Sequence, residues 1–130
     1  MRTQLIEYCP ANTVPEINTW EQKAIQKLFF QLGITAKYVG YDYLSYAVLL
    51  ALRQPERLSL VTKWLYPDVA KRFCTNWKTV ERGMRLAVEI AWSMQKEELE
   101  RIANCKLEQR PIIVQFIVIV INYLFPDQAA

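Results

Sequence analysis

Val61-Thr-Lys-Trp-Leu-Tyr-Pro-Asp-Val-Ala-Lys-Arg-Phe-Cys-Thr-Asn-Trp-Lys-Thr-Val-Glu-Arg-Gly-Met-Arg-Leu-Ala-Val-Glu-Ile-Ala-Trp-Ser93 reads as helix, short polar break, helix. The second helix is expected over 76–94, capped by Asn76 or Thr75. Val80, Met84, Ala87, Val88 and Ala91 recur at helical spacing and should face a core. Lys78, Glu81, Arg82 and Arg85 fall on the other side, near the start of the helix. This is the layout of a helix-turn-helix, whose second helix enters the DNA major groove with its N-terminal residues on the base edges.

The charge follows the same segment. Between Val61 and Glu89 the cations are Lys63, Lys71, Arg72, Lys78, Arg82 and Arg85, and the anions are Asp68, Glu81 and Glu89. The excess equals the +3 of the entire chain. A local basic face is the electrostatic footprint of a duplex binder, although a solvated helix surface can carry the same charges.

Little else in the chain offers chemistry. Its 130 residues are 52% hydrophobic and 22% charged, enough for one globular domain with a core. Histidine is absent, which removes the commonest general base and zinc ligand together. Three glycines are too few for a phosphate-cradling loop. Cys9, Cys74 and Cys105 are far apart and odd in number, so reduced thiols in a cytoplasm are expected, with no metal site and no disulfide framework. Ser45, Ser59 and Ser93 have no histidine to activate them, and Glu97, Glu98 and Glu100 read as a solvated face. No enzyme activity and no cofactor are expected.

The remaining chain also reads as helical. Residues 1–17 lack periodicity and read as an arm, leaving 18–130 as one helical domain. Thr19 with Gln22 resembles a capping box, and Ala24, Ile25, Leu28, Phe29 and Leu32 then repeat at helical spacing up to Gly33. A second helix is expected from about Tyr41 to Arg53, with Leu44, Ala47, Val48, Ala51 and Leu52 as its stripe. A third should start near Glu56 and run to Phe73, kinked or broken near Tyr66 by Pro67. Gln95 to Ala103 is a short charged helix, and Asn104 to Arg110 a connector. Ile112 to Phe125 is almost entirely apolar, too short to span a bilayer, and reads as a buried helix with one part meeting another subunit. Phe116, Ile117, Val120 and Ile121 are its candidate oligomer-interface residues.

Taken together, the sequence resembles the C-terminal DNA-binding effector domain of the stage-zero sporulation response regulator of endospore-forming bacteria. The matching strings are Gly33-Ile34, Ala36 and Gly40-Tyr41-Asp42-Tyr43-Leu44. Val61-Thr62-Lys63 and Leu65-Tyr66-Pro67-Asp68-Val69-Ala70-Lys71-Arg72-Phe73 follow. Then come Thr75, Val80-Glu81-Arg82, Arg85, Ala87-Val88-Glu89 and Ala91-Trp92-Ser93. Pro111, Gln115-Phe116-Ile117 and Leu124 match more loosely. The resemblance implies an all-α fold of about six helices around a helix-turn-helix, in the winged-helix-like response-regulator effector superfamily, with no sheet. It implies sequence-specific binding to a short operator in double-stranded DNA and tandem protomers on it. It also implies contact with the RNA polymerase sigma factor through Ser93 to Ile102. Only a short arm precedes the first helix, so no phospho-receiver switch is expected within this sequence.

On that reading Lys78, Glu81 and Arg82 contact bases. Arg82 would bond a guanine O6 and N7, and Glu81 would accept from a cytosine or hold Arg82 in place. The plain alternative for Arg82 is a surface arginine paired with Glu81 or Glu89. Lys63, Lys71, Arg72, Thr75 and Arg85 would hold phosphates and fix register. Trp77 would touch a thymine methyl or sugar, or pack under the helix start. Trp64, Trp92, Tyr43 and Phe73 should be core. The sequence departs from the family pattern at Lys78-Thr79, where Ser-Arg is usual, and at Val39, where lysine is usual. Ile112 and Ile113 also stand where polar residues are usual. These departures motivate an alternative function: an interaction module that does not bind DNA and pairs with a homologous regulator or with sigma factor.

Overall fold

The computed structural model describes residues 19–129, so the expected arm over 1–17 lies outside the described residues, as does the side-chain cap at Thr19. The first helix, α1, is Thr19–Gln31 and the second, α2, is Val39–Arg53. A 3-10 turn, Pro55–Ser59, and a π turn, Val61–Leu65, lead into α3, Tyr66–Arg72. Then follow α4, Trp77–Met94, α5, Lys96–Ala103, α6, Ile113–Leu124, and a last short turn of helix, α7, Pro126–Ala129. No strand occurs among the described residues, and the fold is all-α as the sequence implies.

Two chain reversals follow one rule. Gly33 takes φ +85° at the end of α1, and the N–H of Ile34 donates back to the Phe29 carbonyl at 2.8 Å. Ile34 and Phe29 are both fully buried, the apolar clasp that accompanies this C-terminal motif. At the end of α3 the same geometry recurs with Cys74 at φ +58° and Thr75 donating to Ala70 at 3.0 Å. Cys74 is disulfide-bonded, where a reduced thiol was expected, and Cys105 is a free exposed thiol.

The segment expected as a helix from Glu56 to Phe73, kinked or broken near Tyr66, is three pieces, with one boundary at Tyr66 and another before Val61. Pro67 has no N–H, and its ring clashes with the carbonyl four residues earlier. The chain answers with a wider turn: the N–H of Tyr66 donates to the Val61 carbonyl, an i→i−5 bond, before regular helix begins. Arg57 then pins α3. Its guanidinium bonds Asp68 at 3.1 Å, reaches the Leu50 carbonyl at 3.3 Å and lies over the Trp64 ring at 5.4 Å.

Helix α2 is the centre of the molecule. The expected stripe is buried, and so are Tyr43, Ser45, Tyr46, Leu49 and Leu50 around it, the mark of a helix covered on every side. Its most extensive partner is α4. The two cross at a pair of glycines. A Cβ on Gly40 would fall inside the Gly83 carbonyl and 2.9 Å from the Cβ of Ala87. A Cβ on Gly83 would meet the Tyr43 ring at 2.9 Å. Absence of two side chains therefore sets how closely α4 is seated. Glu21, buried, ties α1 to the end of α2 through Arg53 at 2.9 Å.

Candidate nucleic-acid interface

Asn76 starts α4. Its backbone is extended, and its Oδ1 accepts from the Thr79 N–H at 2.9 Å. This settles the choice between Thr75 and Asn76 as cap. The expected inner face is the real one: Val80, Met84, Ala87, Val88 and Ala91 are buried, together with Gly83. Lys78, Arg82, Arg85, Leu86 and Glu89 are exposed and share the opposite face by their helical spacing.

The electrostatics of this face leave one group conspicuous. Glu81 holds Arg85 at 2.7 Å, one turn along the helix. Glu89 faces Arg110 at 3.6 Å. Arg82 therefore pairs with neither carboxylate, and it makes no ion pair with any described residue. Lys78 stands one turn earlier, its Nζ 6.0 Å from the centre of the half-exposed Trp77 ring. Trp77 is thus partly exposed and partly covered at the helix start.

Below Glu81 and Arg85 lies Tyr66, 4% exposed. Burial, and secondarily the Glu81 charge, push its phenol up to about 12 against the opposing pull of Arg85. Tyr66 lines an open cavity of about 250 Å³ together with Val61, Val88, Pro111, Ile113, Arg85 and Arg110.

The expected phosphate contacts divide. Lys63 and Lys71 are exposed, on the π turn and the last turn of α3. Thr75 is half-buried in the turn. Arg72 is also half-buried, stacked 5.8 Å from the Tyr46 ring and 5.6 Å from the Phe73 ring, and its Nε is buried without a hydrogen bond. Its stem belongs to the packing under the turn. Tyr43 is core as expected, whereas Trp64, Phe73 and Trp92 are half-buried.

The interface assignment on the last helix needs correction. Phe116, Ile117 and Val120 are fully buried and Ile121 is 7% exposed, all within the chain's own core. Helix α6 turns these residues toward α2 and α4, so they are covered before any second subunit arrives. The outward residues of α6 are Gln115, Val118, Asn122 and Tyr123, preceded by Ile112 at 70% exposure.

Sequence reasoning did not single out two residues of the exposed face. Leu86 is half-exposed between Arg82 and Glu89, a signal present in the helical spacing. Arg110 arrives from the connector, and no local pattern announces where it goes.

Among the described residues no helix is long and apolar enough to cross a membrane, and no cluster of metal-ligating side chains occurs. The family described as sporulation initiation factor Spo0A C terminal matches residues 25–124. That family is the DNA-binding effector domain of a sporulation regulator and is not an enzyme family. With the match spanning α1 to the end of α6, the chain belongs to the Spo0A C-terminal family of DNA-binding transcription regulators.

Proposed function

We propose that the protein is a sequence-specific transcription regulator that lays α4 in the major groove of an operator. The observation that carries this reading is Arg82: exposed, unpaired among described residues, and flanked by carboxylates that other arginines already hold. An arginine so placed is available for the bidentate bond to guanine O6 and N7. Lys78 accompanies it as a base contact near the helix start. Glu81 fixes Arg85 beside it, where Arg85 serves the backbone. Lys63, Lys71 and Thr75 supply further phosphate contacts, and Arg72 contributes chiefly by holding the turn. Protomers bind in tandem on DNA in the cytoplasm. Sigma factor meets the solvent side of 93–102, where Ser93, Met94, Gln95, Lys96 and Glu97 are exposed.

The test is fluorescence anisotropy with a duplex carrying the family's operator and a scrambled duplex, at two salt concentrations. The operator should win by a factor of about 10³. Arg82→Ala should remove about 1–3 kcal/mol of operator binding and relax the preference while leaving the fold intact. Equal, steeply salt-dependent binding to both duplexes would mean that phosphate contacts act without base reading. No binding at low salt would refute DNA binding by this chain and favour an interaction module.

A further inference from the structure

Arg110 comes from outside the helix-turn-helix yet stands on its exposed side. Its Nη1 lies 3.6 Å from Glu89 Oε2, and Glu89 shares the outward face of α4 with Lys78, Arg82 and Arg85. Arg110 and Arg85 line the same cavity. The residue is held there by its neighbours. Asn104, at φ +61°, closes α5 and turns the chain back. The Leu107 N–H donates to Glu100 Oε2 at 2.9 Å, and Leu107 packs against the core. Pro111 is buried, and a proline confines the residue before it to extended backbone. Between these two anchors only Glu108, Gln109 and Arg110 are exposed.

We propose that the 104–112 connector is a second DNA-contacting element and that Arg110 is its phosphate-binding residue. This rests on the DNA-binding reading above. Glu89 lies about 10 Å along the helix axis from Arg82 at 1.5 Å per residue. A recognition helix meets base edges with its N-terminal residues, so Arg110, about two turns beyond Arg82, faces the flanking backbone rather than the bases. A guanidinium matches phosphate bidentately. The pair with Glu89 is long and exposed, and such pairs are weak and screened by salt, so a phosphate displaces the carboxylate readily. Glu89 keeps Arg110 extended along the face until DNA arrives.

The test is the slope of binding against salt on the operator and scrambled duplexes, for the wild type, Arg110→Ala, Arg110→Lys, Glu89→Gln and the Glu89→Gln/Arg110→Ala double variant. Thermal melts by circular dichroism confirm that each variant is folded. Arg110→Ala should weaken both duplexes by a similar factor, about tenfold, and flatten the slope by roughly 0.9. The operator preference should survive, in contrast to Arg82→Ala. Arg110→Lys should recover most of the slope, and Glu89→Gln should tighten binding to both duplexes. If Arg110 only neutralises Glu89, its replacement will have no effect in the Glu89→Gln background, and the proposal is overturned. Unchanged affinity and slope in Arg110→Ala, with Arg82→Ala still losing preference, overturns it alone. A wild type that binds neither duplex overturns the DNA-binding reading and this inference with it.

Discussion

Helices α4 and α6 touch one another and use their side chains in opposite ways. Helix α4 alternates apolar and charged residues so that one face is buried and the other is offered to solvent. Helix α6 has no charged residue and turns five of its apolar side chains inward. Its outward side is mixed: Gln115 and Asn122 beside Val118 and Tyr123. The contrast teaches that apolarity alone does not mark a docking surface. Charge on one side of a helix reveals which side is free, and a uniformly apolar helix conceals it.

Substitutions at matched places test this contrast. The largest effect is expected for Phe116→Ala in α6, fully buried and 6.1 Å from the Phe29 ring. It should lower the unfolding free energy by about 3–5 kcal/mol in a denaturant titration. A loss under about 1 kcal/mol, with weaker self-association instead, would return Phe116 to an interface. Next is Gly40→Ala at the crossing of α2 and α4. Overpacking against the Gly83 backbone should cost about 1–3 kcal/mol, and DNA affinity should fall as α4 is pushed off its seat. Asn76→Ala should cost about 1 kcal/mol through loss of the α4 cap, read as a lower midpoint of thermal unfolding. The smallest effects belong to the outward faces. Val118→Ser and Leu86→Ser should each change stability by less than about 0.5 kcal/mol. They should part on DNA: Leu86→Ser alters binding if the face of α4 meets the duplex, and Val118→Ser leaves it unchanged.

Alkaline titration probes the buried edge of the same helix. The Tyr66 phenol is raised in the fold from an ordinary value near 10 to about 12, so the folded state holds its proton more tightly than the unfolded chain. The resulting stabilisation is fully present below pH 10 and is lost as pH climbs toward about 12. Unfolding followed by circular dichroism should steepen in that window, and Tyr66→Phe should flatten it.

Much of this architecture was legible because its signals are local. The stripe of α4, the glycine ending α1 and the disturbance at Pro67 each follow from a few neighbouring residues. The exposed placement of Lys78, Arg82 and Arg85 follows from the same periodicity. What escaped depends on tertiary packing. Periodicity gave α2 one apolar stripe, but being central it is covered on all sides, Ser45 included, which bonds back to the Tyr41 carbonyl at 2.6 Å. The phase of α6 has no polar contrast to reveal it, so spacing alone does not separate its core residues from an interface. Arg72 reads as one more basic residue until the ring of Tyr46, brought in from α2, is seen beside it. Arg110 is placed by a proline, a carboxylate and a turn acting across the chain, none of which resembles a DNA-binding motif locally.

The glycine crossing of α2 and α4 has an evolutionary consequence. Gly40 and Gly83 bring the two backbones together on the inward side, away from Lys78, Arg82, Leu86 and Glu89. The seat and the reading surface are therefore separable traits. Mutation can redraw the outward residues, and with them the preferred operator, without disturbing how the helix is mounted. Variation at the seat has no such freedom, since even a methyl group there has nowhere to go. Members of a lineage built this way can diverge quickly in the sites they recognise while inheriting one unaltered scaffold.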